Sequence, residues 1–219
     1  MALFIDQLDI WLDVLGTTLL ATAYWLYLNF VSKAPASAKL IFNRSFGVFY
    51  LALGVYALAD GLWAATTWPL PSSYNLVFSD AWPIFGVALI TLGLINIRAG
   101  PEVAGEGANI YVRGALIGIA ALSLPVLVYG IDIWVYGLTT EPPLAGLMFF
   151  LLGLAGLLSP LLTLGRAGRG VAYLLILLVV ISGLIALLIG VEAIFAHTAA
   201  WKAWAPWYGT PPPTTTTSH

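Results

Sequence analysis

Six long apolar runs with at most two charged residues each punctuate this chain, at roughly 10–32, 45–67, 81–98, 112–137, 143–165 and 170–198. A hydrocarbon layer about 30 Å thick needs about 20 such residues in helical form, so each run is long enough to cross it. None alternates apolar and polar positions as a barrel strand does, and in lipid only helices or closed barrels satisfy the backbone. The pattern therefore predicts an all-α integral membrane bundle of six transmembrane helices. It forms a single domain over 1–209, with a Pro/Thr-rich tail at 210–219. Pro83 and Pro143 fall near helix starts, where proline is tolerated, while Pro125 and Pro160 fall inside runs and predict kinks.

Composition agrees with the pattern: 61% of the 219 residues are hydrophobic and 8% are charged. So few charges cannot cover a water-facing surface, which makes the lipid bilayer the expected solvent. There is no cysteine. This excludes disulfides and every thiolate-ligated metal or iron–sulfur centre within the chain. The acidic start "MALFIDQLDIWLD" lacks the basic leader of a cleavable signal, so the first run is expected to stay in place.

The few charges are sorted by side. Lys33, Lys39, Arg44, Arg98, Arg113, Arg166 and Arg169 flank the first, third and fifth connections, leaving only Lys202 opposite. By the positive-inside rule those connections are cytoplasmic and both termini are extracytoplasmic, in the cell membrane. Eight of the nine tryptophans, all but Trp25, fall toward the outer side and read as an interfacial aromatic belt. The Gly-rich "IRAGPEVAGEGANIYVR" lacks the ending of a phosphate-binding loop, and the scattered bases serve topology, so nucleic acid is not an expected partner.

Glycine recurs at heptad spacing: Gly47, Gly54 and Gly61; Gly86 and Gly93; Gly130 and Gly137; Gly146 and Gly153; Gly183 and Gly190. Such stripes let helix backbones approach closely, and Gly114 with Gly118 adds a small-xxx-small contact. The even-numbered spans end alike, in "YALADGLWAATTWPLP", "YGIDIWVYGLTTEPPL" and "VEAIFAHTAAWKAWAPW". Three repeated helical hairpins are one reading of this rhyme, and shared interface chemistry is the other.

Helix polarity sorts the outer acids. Asp6, Asp9, Asp13, Asp80 and Glu141 lie at helix starts, where capping and the dipole favour them. Asp9 and Asp13 share a face with Asp6 and are secondary candidates for holding a cation. Asp60, Asp132 and Glu192 lie toward C-terminal ends, where the dipole opposes them. Asp60 falls about 22 Å along its span, a depth at which an acid costs about 2.5–3.5 kcal/mol. With His197, these three form a candidate site for a cation, a proton or a small polar ligand. Glu192 and His197 are five residues apart and thus rotated about 140°, which disfavours a metal pair between them. Any bound metal is otherwise unknown, and haem would have to use His197 with Met148, a poor prospect.

The segments "WPLPSSYNLVFSDAWPIFG" (68–86) and "AHTAAWKAWAPW" (196–207) resemble an uncharacterised prokaryotic, mainly archaeal, membrane family, domain of unknown function 981. The resemblance covers nearly the whole chain. It implies a polytopic membrane protein and supplies no activity, cofactor or catalytic residue. Read together, the residues favour a membrane protein with a polar site open to the extracytoplasmic side and give no support to an enzyme. The alternatives are an accessory subunit of a larger, respiratory-type membrane complex, whose partners would be other membrane subunits or further copies of itself, and a transporter. Against transport, the cytoplasmic half reads as almost free of intramembrane polar residues.

Overall fold

The computed structural model describes residues 7–99 and 110–201, and within them the chain is a bundle of six helices. Helix α1 (Gln7–Leu26) ends in a π-turn (Tyr27–Val31), and α2 spans Ala36–Thr67. A second π-turn (Asn75–Ser79) leads into α3 (Asp80–Ala99), followed by α4 (Ile110–Tyr136). Helix α5 (Pro142–Leu158) closes in a 3-10 turn (Ser159–Thr163), and α6 runs from Arg166 to Trp201. All six are long and apolar enough to cross a membrane, so this is a multi-pass membrane protein. The Gly-rich connection at 100–109 and the tail at 210–219 lie outside the described residues.

The helices alternate in direction, giving the bundle a basic end, where α2, α4 and α6 begin, and an aromatic end, where α1, α3 and α5 begin. The largest departure from the expected spans is α2, which starts nine residues before position 45. Lys39, Asn43 and Arg44 had read as loop, but Lys39 Nζ instead donates to the carbonyls of Asn29 (3.1 Å) and Ser32 (3.2 Å) at the end of α1. A cation at a helix C-terminus satisfies exposed carbonyls and complements the dipole. Pro160 sits in the 3-10 turn that ends α5, and Pro125 is accommodated inside a continuous α4.

Three seams hold helices closest: α2 with α3, α4 with α5, and α1 with α6. The heptad glycines make them. A side chain on Gly54 would meet the backbone N of Ile90 at 2.7 Å, and one on Gly86 the carbonyl O of Gly54 at 2.9 Å. In the α1–α6 seam, Gly183 stands against the carbonyl of Gly16 (3.0 Å). These tight pairs join at the aromatic end or close the chain's first helix on its last. They thus lie between, not within, the hairpins suggested by the sequence rhyme.

Two glycine expectations fail. Gly114 and Gly118 face open space, with nothing within 4 Å of an added side chain, so they make no close crossing among the described residues. Gly137 packs on nothing either; its φ of 63° is left-handed, and its N–H returns to the carbonyl of Ile133 (2.9 Å) to end α4. The two turns at the aromatic end are tied together, since Ser73 Oγ donates to the carbonyl of Leu138 (2.7 Å) and Tyr74 Oη to Thr140 Oγ1 (3.0 Å).

The tryptophan belt needs a similar correction. Trp63, Trp68 and Trp134 are exposed, as a belt requires, but Trp11 and Trp82 are buried inside the bundle, with their rings stacked at 5.3 Å. Their polar edges fall within a helix bundle, and each indole must find its partner there.

The basic half also holds more polarity than its sequence announced. Asn29 and Asn43 are fully buried and exchange side-chain hydrogen bonds, at 2.9 and 2.8 Å. Nearby, Trp25 Nε1 donates to Asn96 Oδ1 (2.7 Å), and Asn96 Nδ2 donates to the carbonyl of Leu92 (2.8 Å). These amides join α1 to α2 and α3 by polar side chains rather than by glycine.

Candidate functional site

The first two turns of α1 organise the polar groups at the aromatic end. Residues four apart lie on one helix face, and here two such pairs point in different directions. Gln7 and Trp11 face α2. Gln7 Nε2 donates to Asp60 Oδ1 at 2.9 Å, and Trp11 Nε1 donates to Asp60 Oδ2 at 2.5 Å. Both carboxylate oxygens of Asp60 are thereby held. Asp60 is seven residues, about 10 Å, from the end of α2 at Thr67. The acid is half-buried.

Asp9 and Asp13 face α6. Asp9 Oδ2 lies 2.8 Å from His197 Nδ1, with the imidazole side chain 45% exposed and the carboxylate 4%. One turn further in, Asp13 Oδ1 would stand 2.6 Å from a side chain on Gly190, so the glycine makes room for the acid. That oxygen is covered and has no hydrogen-bond partner among the described residues. The seam's register thus pairs position 9 with 197, 13 with 190 and 16 with 183.

The other two sequence candidates stand apart. Glu192 is exposed on α6, on a different face from His197, as their five-residue spacing requires. Asp132 is half-buried on α4, and neither it nor Glu192 makes a hydrogen bond or ion pair among the described residues. The four candidates therefore occupy separate positions: Asp60 against α1, His197 against Asp9, and Asp132 and Glu192 on other faces.

No group of three or more His, Asp or Glu residues close enough to hold a metal ion occurs among the described residues. His197 and Met148 do not meet. Ser182 Oγ donates to the carbonyl of Met148 (3.0 Å), and Ser182 is fifteen residues, about 22 Å, from His197 along α6. A single iron cannot reach both.

The polar groups that sequence reasoning missed are Gln7 and Trp11. Their i, i+4 spacing was visible, but nothing local said that Asp60, 49 residues beyond Trp11, would be their acceptor. No curated protein and no solved structure matches the chain. A family model described as "Protein of unknown function (DUF981)" matches residues 1–200. With five helices and all but the last residue of the sixth inside that match, the chain belongs to this family, as the Trp/Pro-rich segments at 68–86 and 196–207 had suggested.

Proposed function

We propose that this membrane protein takes up a proton at its aromatic end, through His197 and Asp9, with that end facing away from the cytoplasm. The observation that carries the reading is the 2.8 Å contact between a half-exposed imidazole and a buried carboxylate. An imidazole has two ring nitrogens, so one can exchange protons with water while the other holds the acid. Asp13, one turn along the same face, supplies a second carboxylate oxygen without a hydrogen-bond partner among the described residues. Asp60, anchored by Gln7 and Trp11, fixes α1 in place beside the site. Asp132 and Glu192 add negative potential at the same end, which draws cations toward it.

The test compares purified wild type with Asp9→Asn and His197→Gln in mild detergent. Unfolding temperature is followed against pH. Wild type is expected to show a pH-dependent unfolding temperature, and Asp9→Asn to lose that response while keeping its helical circular dichroism. Identical responses in wild type and both variants would sink the reading.

Orientation is checked separately, and the absence of native cysteine makes the check clean. Glu141→Cys and Lys33→Cys place single thiols at exposed positions on opposite ends of the bundle. A membrane-impermeant maleimide added to intact cells is expected to label Glu141→Cys alone, and Lys33→Cys only after the membrane is opened. The reverse pattern inverts the topology.

A further inference from the structure

We infer that the bundle holds the hydrocarbon chain of a bilayer lipid in a slot among α1, α3, α4, α5 and α6, entered sideways between α3 and α4. The slot is a partly open cavity of about 160 Å³, to whose walls α2 contributes nothing. Its lining runs from Trp11 to Leu26 along α1, and from Phe78 to Leu92 into and along α3, about 20 Å in each case. A space of that volume drawn out over that length is long and narrow, not a compact chamber. Each leaflet of a hydrocarbon core about 30 Å thick is filled by chains reaching about 15 Å, so the slot suits one chain laid along the bundle axis.

The lining asks its occupant for no polar group. It carries no charged side chain, and the hydroxyls of Thr22, Ser123 and Ser159 all donate to backbone carbonyls. Trp11 donates to Asp60 and Trp25 to Asn96, while the N–H of Trp82 is covered by protein. Water finds no site there, since a buried water needs two to four polar partners and apolar cavities of about this size stay dry. An empty slot would leave its wall without dispersion contacts on one side, and methylene groups restore them.

The entrance follows from which parts of the wall are covered. On α1 and α6 the lining residues are buried, Thr22 excepted. The half-buried ones include Ile84, Phe85 and Ala88 on α3, Leu122 and Ser123 on α4, and Leu152 on α5. Glycine seals α4 to α5, since a side chain on Gly153 would run into the backbone of Leu127, whereas α3 and α4 pack more loosely. On those two helices Val87 and Leu124 are exposed to the membrane, so the slot is continuous with the lipid-facing surface. A chain can enter there and leave its headgroup outside. The slot shares no residue with the His197–Asp9 pair and does not depend on proton uptake.

The experiment reconstitutes the full-length protein in phosphatidylcholine vesicles, a fraction of whose lipid carries a photoreactive diazirine at the middle of one acyl chain. After illumination, the modified residues are located by peptide mass spectrometry. Outer adducts are expected on exposed residues such as Val87, Leu124 and Leu184, which bulk lipid reaches. Inner adducts are expected on Leu19, Leu89 and Val179, which line the slot and are 5% exposed or less. Ala88→Phe fills the slot from α3 and Ala155→Leu fills it from α5. Each should lose the inner adducts and keep the outer ones, whose unchanged positions show that the bundle still forms. Inner adducts in wild type support the proposal by themselves if a variant fails to fold. Outer adducts alone in wild type, or inner adducts that survive in both folded variants, would overturn it.

Discussion

Gly86→Leu is expected to destabilise the bundle by about 3 kcal/mol or more, the upper range for overpacking a tight interior. The reason lies in what the new side chain meets. Its first carbon would stand 2.5 Å from the backbone N of Leu58 and 2.9 Å from the carbonyl of Gly54. Both are main-chain atoms of α2, so no rotamer change relieves the clash, and the two helices must separate along their whole seam. Gly118→Leu makes the natural control. Nothing lies within 4 Å of its added carbon. Leucine is a better helix former than glycine by up to about 1 kcal/mol, so that variant should match wild type or exceed it. Denaturation in mixed detergent micelles, followed by circular dichroism, separates the two; equal stability of both variants would refute the close α2–α3 contact.

Asn29→Leu should cost about 2 kcal/mol, by removing one half of a buried amide pair. Asn29 donates to Asn43 Oδ1 (2.9 Å) and to the carbonyl of Trp25 (3.0 Å), and accepts from Asn43 Nδ2 (2.8 Å). A buried polar group deprived of its partner costs about 1–3 kcal/mol, whereas hydrogen bonds between membrane helices average only about 0.6 kcal/mol net. The asymmetry predicts the double variant. Asn29→Leu with Asn43→Leu should be less destabilised than the sum of the two single changes, because the two hydrogen bonds they exchange are lost once and not twice. Strict additivity in the same micelle assay would show that the two side chains act independently.

Both predictions mark the boundary of what the chain discloses on its own. The six helices were legible because lipid leaves few ways to satisfy a backbone, and the apolar runs are long. The glycine stripes of α2 and α3 were legible for a related reason: a small residue every seventh position has an obvious use in a close crossing. Gly114 and Gly118 look the same on paper, yet among the described residues nothing lies within 4 Å of a side chain added at either. Spacing reports which residues share a face, and packing decides whether that face is used.

The same limit shaped the site. Helix polarity singled out Asp60, Asp132 and Glu192 as acids in need of an explanation and left Asp9 and Asp13, at a helix start, as secondary candidates. The close His–Asp contact proved to be Asp9 with His197, separated by 188 positions and brought together only by the register of α1 on α6. Asn43 was hidden differently. With Lys39 and Arg44 beside it, the segment reads as a loop, because two cations and an amide interrupt the apolar pattern. The helix begins there regardless, as Lys39 reaches back to cap α1 and Asn43 turns inward to Asn29.

The seam between α1 and α6 carries a consequence for how the protein is made. A ribosome delivers the helices in order, so α1 enters the membrane while its closest neighbour does not yet exist. Gln7 and Trp11 can find Asp60, and Asn29 can find Asn43, as soon as α2 follows. Gly16 and the carboxylate of Asp9 must wait through four further helices for Gly183 and His197. Until then the nascent bundle is an open sheaf, with an acid and a bare glycine groove turned toward lipid or toward the insertion machinery. Closure is therefore a late step in biogenesis, and a chain stopped before α6 presents the cell's quality control with a polar, unsealed flank.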